Sequence, residues 1–300
     1  MHFPVADIDL NPLIPILIGL SVSVISSPTG LSGGFLILPI CVSLLNFDGL
    51  AVSPTNFLFI VLASPSGLWR MHREKRLMPG LGLILMAGSL FGIFSGTVLR
   101  CTWLRAAADF RIFMALVLVG LALYLAKNLR AAGDARAARA ERSFRHSQAE
   151  PASLVCSYQG GRLGFTFGGQ AFAVSIPGLF LASLLVGLVG GIYGIGGASL
   201  IAPLLLTVFG LPIYLVNGAA LLASWCGAVF GLFSYEIFWP AVSGQPAVSP
   251  DLGLGLLFGL GGALGVYIGS SLQRFLPPQP LKILMLILVS AMAAQNMIQI

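Results

Sequence analysis

The side chains of this chain best suited to holding a ligand are hydroxyls and amides, and they gather around two glycine clusters. Gly30 to Pro39 reads G-L-S-G-G-F-L-I-L-P and Gly194 to Pro203 reads G-I-G-G-A-S-L-I-A-P. Glycine lets backbone approach a ligand closely. Each cluster runs into a short apolar segment of helical character, and the free N–H groups and dipole at a helix start favour negative charge without a side-chain cation. Thr29, Gly30, Ser32, Gly33 and Gly34 form one candidate anion-binding set, with Ser27 beside it; Tyr193, Gly194, Gly196, Gly197 and Ser199 form the other. Ser53, Asn56 and Asn217 are further candidates, although helix capping alone would account for Ser53 and Asn217. The competing explanation for the glycines is a tight buried turn with no ligand.

Ionisable residues are scarce where such a site would lie. Asp48, Arg70, Asp109, Arg111 and Glu236 all fall near segment ends, and His72 sits in a basic loop. An intramembrane carboxylate or histidine relay, the usual mark of a proton pump, is not visible. Cys41, Cys101, Cys156 and Cys226 have no CxxC or Cys/His spacing, so neither a metal site nor a disulfide framework is expected. No cofactor and no catalytic residues are called for, and a neutral site of this kind suits an anion better than a cation.

The elements that must position these groups are membrane spans. Hydrophobic residues make up 57% of the chain and charged residues 9%. Several apolar runs are long enough to cross a bilayer. The expected class is an all-α polytopic membrane protein. With that class, the net charge of +6 says nothing of nucleic acid, and its value lies in where the basic residues sit. Met1 to Pro12 is a tail without the Lys or Arg of a signal-peptide n-region.

The chain states its plan twice. The two glycine motifs agree at five positions of ten, and the register that sets Gly30 against Gly194 also pairs Leu17 with Leu181, Leu20 with Leu184 and Gly67 with Gly231. A nine-residue shift then aligns Gly82, Gly88, Gly92 and Gly96 with Gly255, Gly261, Gly265 and Gly269. The expected division is a tail at 1–12, a first repeat at 13–128, a connector at 129–175 and a second repeat at 176–300. Each repeat carries a glycine-broken re-entrant or discontinuous helix pair and three spanning helices. The halves Leu13 to Ile25 and Phe35 to Leu45 are too short to cross alone, so the break must be buried in protein or line a watery cavity. Ser53-Pro54 and Asn217-Gly218 read as helix starts. Gly88, Gly92 and Gly96, four apart, read as a surface for close helix packing.

The connector is basic and alanine-rich up to about Glu150. From Leu154 to Val174 it alternates around Gly160-Gly161 and Gly168-Gly169, which suggests a small β-meander. The basic loop after Met71 and the connector are separated by two spans, so both belong on the cytoplasmic side. Glu236 to Pro250 has no Lys or Arg and belongs outside, which makes the two repeats inverted, as in many secondary transporters. Arg100 and Arg105 run against this assignment.

The paired motifs, each after an apolar half-segment and followed by S-P-T-N or V-N-G-A-A, resemble the TauE/SafE family of sulfite exporter and organosulfonate permease-like proteins. The matching positions are Gly30, Gly33, Gly34 and Pro39, then Gly194, Gly196, Gly197 and Pro203. Ser32 replaces the middle glycine of the usual run in the first motif, and Ala198 stands where a further glycine is common in the second. The resemblance implies an inner-membrane permease for small sulfur-containing or organic anions such as sulfite, sulfoacetate or sulfonates. The expected partners are that anion, the lipid bilayer, a coupling ion (H+ or Na+) and a second copy of the chain in a homo-oligomer. The alternatives are a channel-like anion conductor and a signalling or assembly protein that docks through its basic connector.

Overall fold

The computed structural model describes residues 1–29, 32–74, 77–130, 157–167, 170–196, 200–211, 213–272 and scattered positions between 283 and 294. Its helices are α1 Leu13–Ser26, α2 Gly34–Ser43, α3 Val52–Arg73, α4 Pro79–Thr102, α5 Ala107–Arg130, α6 Ile176–Tyr193, α7 Ile201–Thr207, α8 Ile213–Phe233, α9 Trp239–Ser243 and α10 Leu252–Leu272. A π-helical turn at Ser234–Phe238 joins α8 to α9. Strands β1 His2–Phe3 and β2 Ile8–Asp9 make an N-terminal hairpin.

Five of the described helical stretches are long and apolar enough to cross a membrane: Pro79–Thr102, Ala107–Tyr124, Ile176–Tyr193, Val216–Ser243 and Leu252–Leu272. Leu17, Leu83, Leu116, Leu181 and Leu260 stand exposed on their outer faces, a surface that only lipid can cover without large cost. The chain is a multi-pass helical membrane protein. Helix α3 has the length but is more polar. Its Ser53, Thr55, Asn56 and Ser64 are buried inside the bundle, so lipid never meets them.

Glycine decides how the helices meet. A Cβ on Gly88, Gly92 or Gly96 of α4 would overlap the carbonyl oxygens of Phe180, Leu184 or Leu188 on α6. On α10, a Cβ at Gly261, Gly265 or Gly269 would run into those of Ile16, Leu20 or Val24 on α1. The two carbonyl sets keep the offset of Gly30 from Gly194, so the sequence register reappears as packing. Residue numbers rise together in both pairs, so α1 runs parallel to α10 and α4 parallel to α6. Gly67 meets Leu221 whereas Gly231 meets Phe57, so the corresponding helices α3 and α8 run antiparallel. Helix α1 is thus embedded against the glycine seam of α10, and α6 against that of α4.

Pro65 interrupts α3 from within. It has no N–H to offer Val61, four residues earlier, and the indole Nε1–H of Trp225 on α8 donates to the Val61 carbonyl instead, at 3.1 Å.

We call the end where α3 begins the upper end. There the hairpin docks through Phe3, fully buried, and through Asp251. One carboxylate oxygen of Asp251 accepts from the Val5 and Ala6 N–H groups at 3.1 Å, and the other caps α10 at Leu254 N, at 2.9 Å. Arg100 is wholly buried at this end, its guanidinium over the Phe110 ring at 3.7 Å and donating to the Leu104 and Gly49 carbonyls. It packs inside the bundle rather than standing in an exposed loop.

At the lower end, β3 Ser157–Gln159, β4 Arg162–Phe167 and β5 Gln170–Ser175 form an antiparallel meander. Gly160 and Gly161 turn it with φ of +57° and +74°, a conformation that suits glycine. Leu163, Phe165, Phe172 and Val174 pack with Met78, Leu81 and Leu205 in one buried cluster.

Candidate functional site

The first break is an out-and-back turn. α1 descends beside α10 and tightens into a 3-10 turn at Ser27–Thr29, which contains Pro28, and the Ser27 hydroxyl donates to the Val266 carbonyl at 3.3 Å. α2 starts at Gly34 with Gly33 as its N-cap, half-way down α3, and returns to the upper end, where Asp48 pairs with Arg111 at 2.7 Å. Asn56 holds the turn by donating to the Gly34 carbonyl at 2.8 Å. The Ser32 hydroxyl accepts from Gly34 N at 3.3 Å.

The second break closes at the upper end of α6. Gly194 (φ +76°) ends the helix and lies on the Ser53 backbone, and Gly196 (φ +67°) lies on Ser224. No side chain fits at either position, because φ is left-handed and a Cβ would overlap a carbonyl. The Ser53 hydroxyl donates to the Ile192 carbonyl at 3.1 Å, and Ser224 donates to Ile195 at 3.4 Å. Phe35 and Tyr193 stack between the breaks, centroids 5.3 Å apart.

Below this junction a small cavity of about 30 Å³ opens between α3 and α8. Ser26, Ser27, Ser32 and Gly33 of the first break line it, with Phe59, Ile60, Ser64 and Met71 of α3, Asn217, Leu221 and Ser224 of α8, and Val266 of α10. Its polar groups are hydroxyls and one amide. Among the described lining residues none is ionisable. Asn217 is 3% exposed, and neither its Nδ2 nor its Oδ1 has a hydrogen-bond partner. A buried amide rarely goes unpaired.

The expected residues divide accordingly. Ser32, Gly33 and Asn217 are on the cavity wall. Gly34, Asn56, Gly194, Gly196 and Ser53 build the turns behind it, and Tyr193 joins the two breaks. Gly30, Gly197 and Ser199 lie outside the described residues, as does the Thr29 side chain. Two expectations are corrected. Ser53 is not an N-cap, since α3 starts at Val52 behind Ala51 and the Ser53 hydroxyl is used across the bundle. Asn217 is not a cap either, because α8 already begins at Ile213. Sequence reasoning missed Ser64 and Ser224. Asn217 and Ser224 are seven apart, one helical face, and that polar stripe inside an apolar helix was the available signal.

The structure defines a multi-pass helical membrane protein with a hydroxyl-lined cavity that has no ionisable side chain among its described lining residues. The family model for the sulfite exporter TauE/SafE matches residues 15–296, nearly the whole chain, and the protein belongs to that family. No curated protein and no solved structure matched it. It is therefore a membrane transporter from a family that handles sulfite and related sulfur anions.

Proposed function

We propose that the protein is a secondary permease for a small sulfur-containing or organic anion such as sulfite, sulfoacetate or a sulfonate, and that the anion occupies the cavity beside the first break. The observation that carries this reading is the cavity wall itself: hydroxyls, one unpaired amide and the Gly33 N-cap of α2, with no charged side chain among the described lining residues. Ser27 and Ser224 already donate to carbonyls, so the Ser32 and Ser64 hydroxyls and the Asn217 Nδ2–H₂ group are the wall donors that would replace an anion's water shell while leaving it free to depart.

The two copies act as inverted repeats working by alternating access. Because α1 packs on α10 and α6 on α4, the rocking bodies are exchanged units, α1–α3–α10 against α4–α6–α8. The α3–α8 seam that lines the cavity is the surface that moves. Arg70, His72 and Arg73 end α3 at the lower end, so that end, with the connector, faces the cytoplasm of the inner membrane and the cavity faces inward.

The test is uptake of labelled sulfite, sulfate and a small sulfonate into proteoliposomes, with and without a pH gradient. Saturable flux of one sulfur anion is expected, and Gly33→Leu abolishes it while the protein stays folded. A Cβ there already meets the Ser23 Oγ at 3.0 Å and the Phe59 ring at 3.1 Å. Normal flux in a folded Gly33→Leu protein would remove the cavity from the mechanism.

A further inference from the structure

We infer that the cavity selects singly charged anions over doubly charged ones, and that Asn217 recognises a proton on the ligand, so that hydrogen sulfite rather than the sulfite dianion is the species bound. This rests on the permease reading above and specifies the substrate of the same site.

The first ground is charge. The cost of taking an ion out of water grows with the square of its charge, so a dianion needs compensation that a monoanion does not. The cavity supplies little. Its fixed positive fields among the described residues are helix N-termini, that of α2, ten residues long and capped at Gly33 on the wall, and that of α8, which begins one turn before Asn217, each equivalent to roughly half an elementary charge. The described titratable or cationic side chains of the packed elements all lie off the lining: Cys41 on α2, Arg70, His72 and Arg73 on α3, Cys226 on α8 and Tyr267 on α10, with none on α1. The Tyr214 side chain, near the start of α8, is outside the described set. Arg70 is also engaged by Glu74 and Ser271. The break residues outside the described set, Gly30, Leu31, Gly197, Ala198 and Ser199, have no ionisable side chains.

The second ground is Asn217. Its amide is one donor group and one acceptor, both buried, both unpartnered and both on the cavity wall. A fully deprotonated oxyanion could satisfy only the Nδ2–H₂ group. Hydrogen sulfite offers anionic oxygens to that donor and an O–H to the Oδ1 acceptor. Both ends of the amide are unpaired, so the argument does not depend on which way it is flipped.

The experiment uses the full chain in proteoliposomes. Initial rates of labelled sulfite uptake are measured across the second ionisation of sulfurous acid, with sulfate and methanesulfonate as competitors. Sulfate is a dianion throughout, and methanesulfonate is a monoanion with no O–H. The apparent KM in total sulfite should rise about tenfold per pH unit above that ionisation and stay constant when expressed as hydrogen sulfite. Sulfate in tenfold excess should not inhibit, and methanesulfonate should inhibit with a constant independent of pH. In Asn217→Ala, shown to be folded by gel filtration, the preference for hydrogen sulfite over methanesulfonate should fall by about tenfold. A KM constant in total sulfite, or inhibition by sulfate as strong as by methanesulfonate, overturns the charge selection. An unchanged preference in folded Asn217→Ala overturns the role of that residue. Absence of any saturable flux overturns the permease reading itself, and this inference with it.

Discussion

The rings of Phe35 and Tyr193 lie parallel, 3° apart in plane with centroids at 5.3 Å, and they join the first turn of α2 to the last residue of α6. One stacked pair therefore ties the two glycine breaks together. The Tyr193 hydroxyl is buried without a hydrogen-bond partner, so the ring, not the oxygen, makes the connection. Tyr193→Phe should leave thermal stability in detergent unchanged or raise it slightly, whereas Tyr193→Ala should cost about 3 kcal/mol or more through the void it leaves. Equal losses in the two variants would show that the hydroxyl has a partner.

The glycine seams make a second prediction with its own control. Gly92→Ala and Gly261→Ala each push a methyl into a facing carbonyl, of Leu184 and Ile16 respectively. Backbone cannot step aside as a side chain can, so each should destabilise by about 1–3 kcal/mol. Gly120 on α5 has nothing within 4 Å of its would-be Cβ, and Gly120→Ala should be neutral or stabilising by up to about 1 kcal/mol. Melting curves of the three proteins decide it.

Pro65 and Trp225 should be coupled. Trp225→Phe strands the Val61 carbonyl and should cost about 1–2 kcal/mol. Pro65→Ala restores an N–H at the position that would normally serve that carbonyl, so the same tryptophan change should cost clearly less in that background. A double-mutant cycle of unfolding free energies measures the difference. Strict additivity would disprove the substitution of one donor for the other.

Asp251 should govern the N-terminal hairpin. Its carboxylate accepts from Val5, Ala6 and Leu254, so Asp251→Ala removes the latch and the α10 cap together. The expected loss is about 1–2 kcal/mol, with limited proteolysis cutting within the hairpin faster than in the parent protein. Unaltered cleavage would mean that Phe3 holds the hairpin alone.

Much of the architecture was readable in the residues. Apolar run length, the doubled glycine motif and the four-residue spacing of Gly88, Gly92 and Gly96 depend on local physics: hydrophobic length against bilayer thickness, and the absence of a side chain where helices touch. The alternation from Leu154 to Val174 agrees with the strands found from Ser157 to Ser175 for the same reason. The roles of Ser53 and Asn217 were not readable, because a hydroxyl or amide near a helix start has the same signature whether it caps that helix or reaches across the bundle.

The sequence by itself determined that this is a helical membrane protein of the TauE/SafE family, because apolar run length against bilayer thickness and the glycine motifs are local properties of the chain. Only the tertiary structure decided that α1 packs on the glycine seam of α10 and α6 on that of α4, and that Trp225 serves Val61. It alone left Asn217 unpaired on the wall of a cavity with no ionisable side chain among its described lining residues. Those are contacts between residues far apart in the chain, and which distant partner satisfies a buried polar group is settled by packing rather than by any local preference.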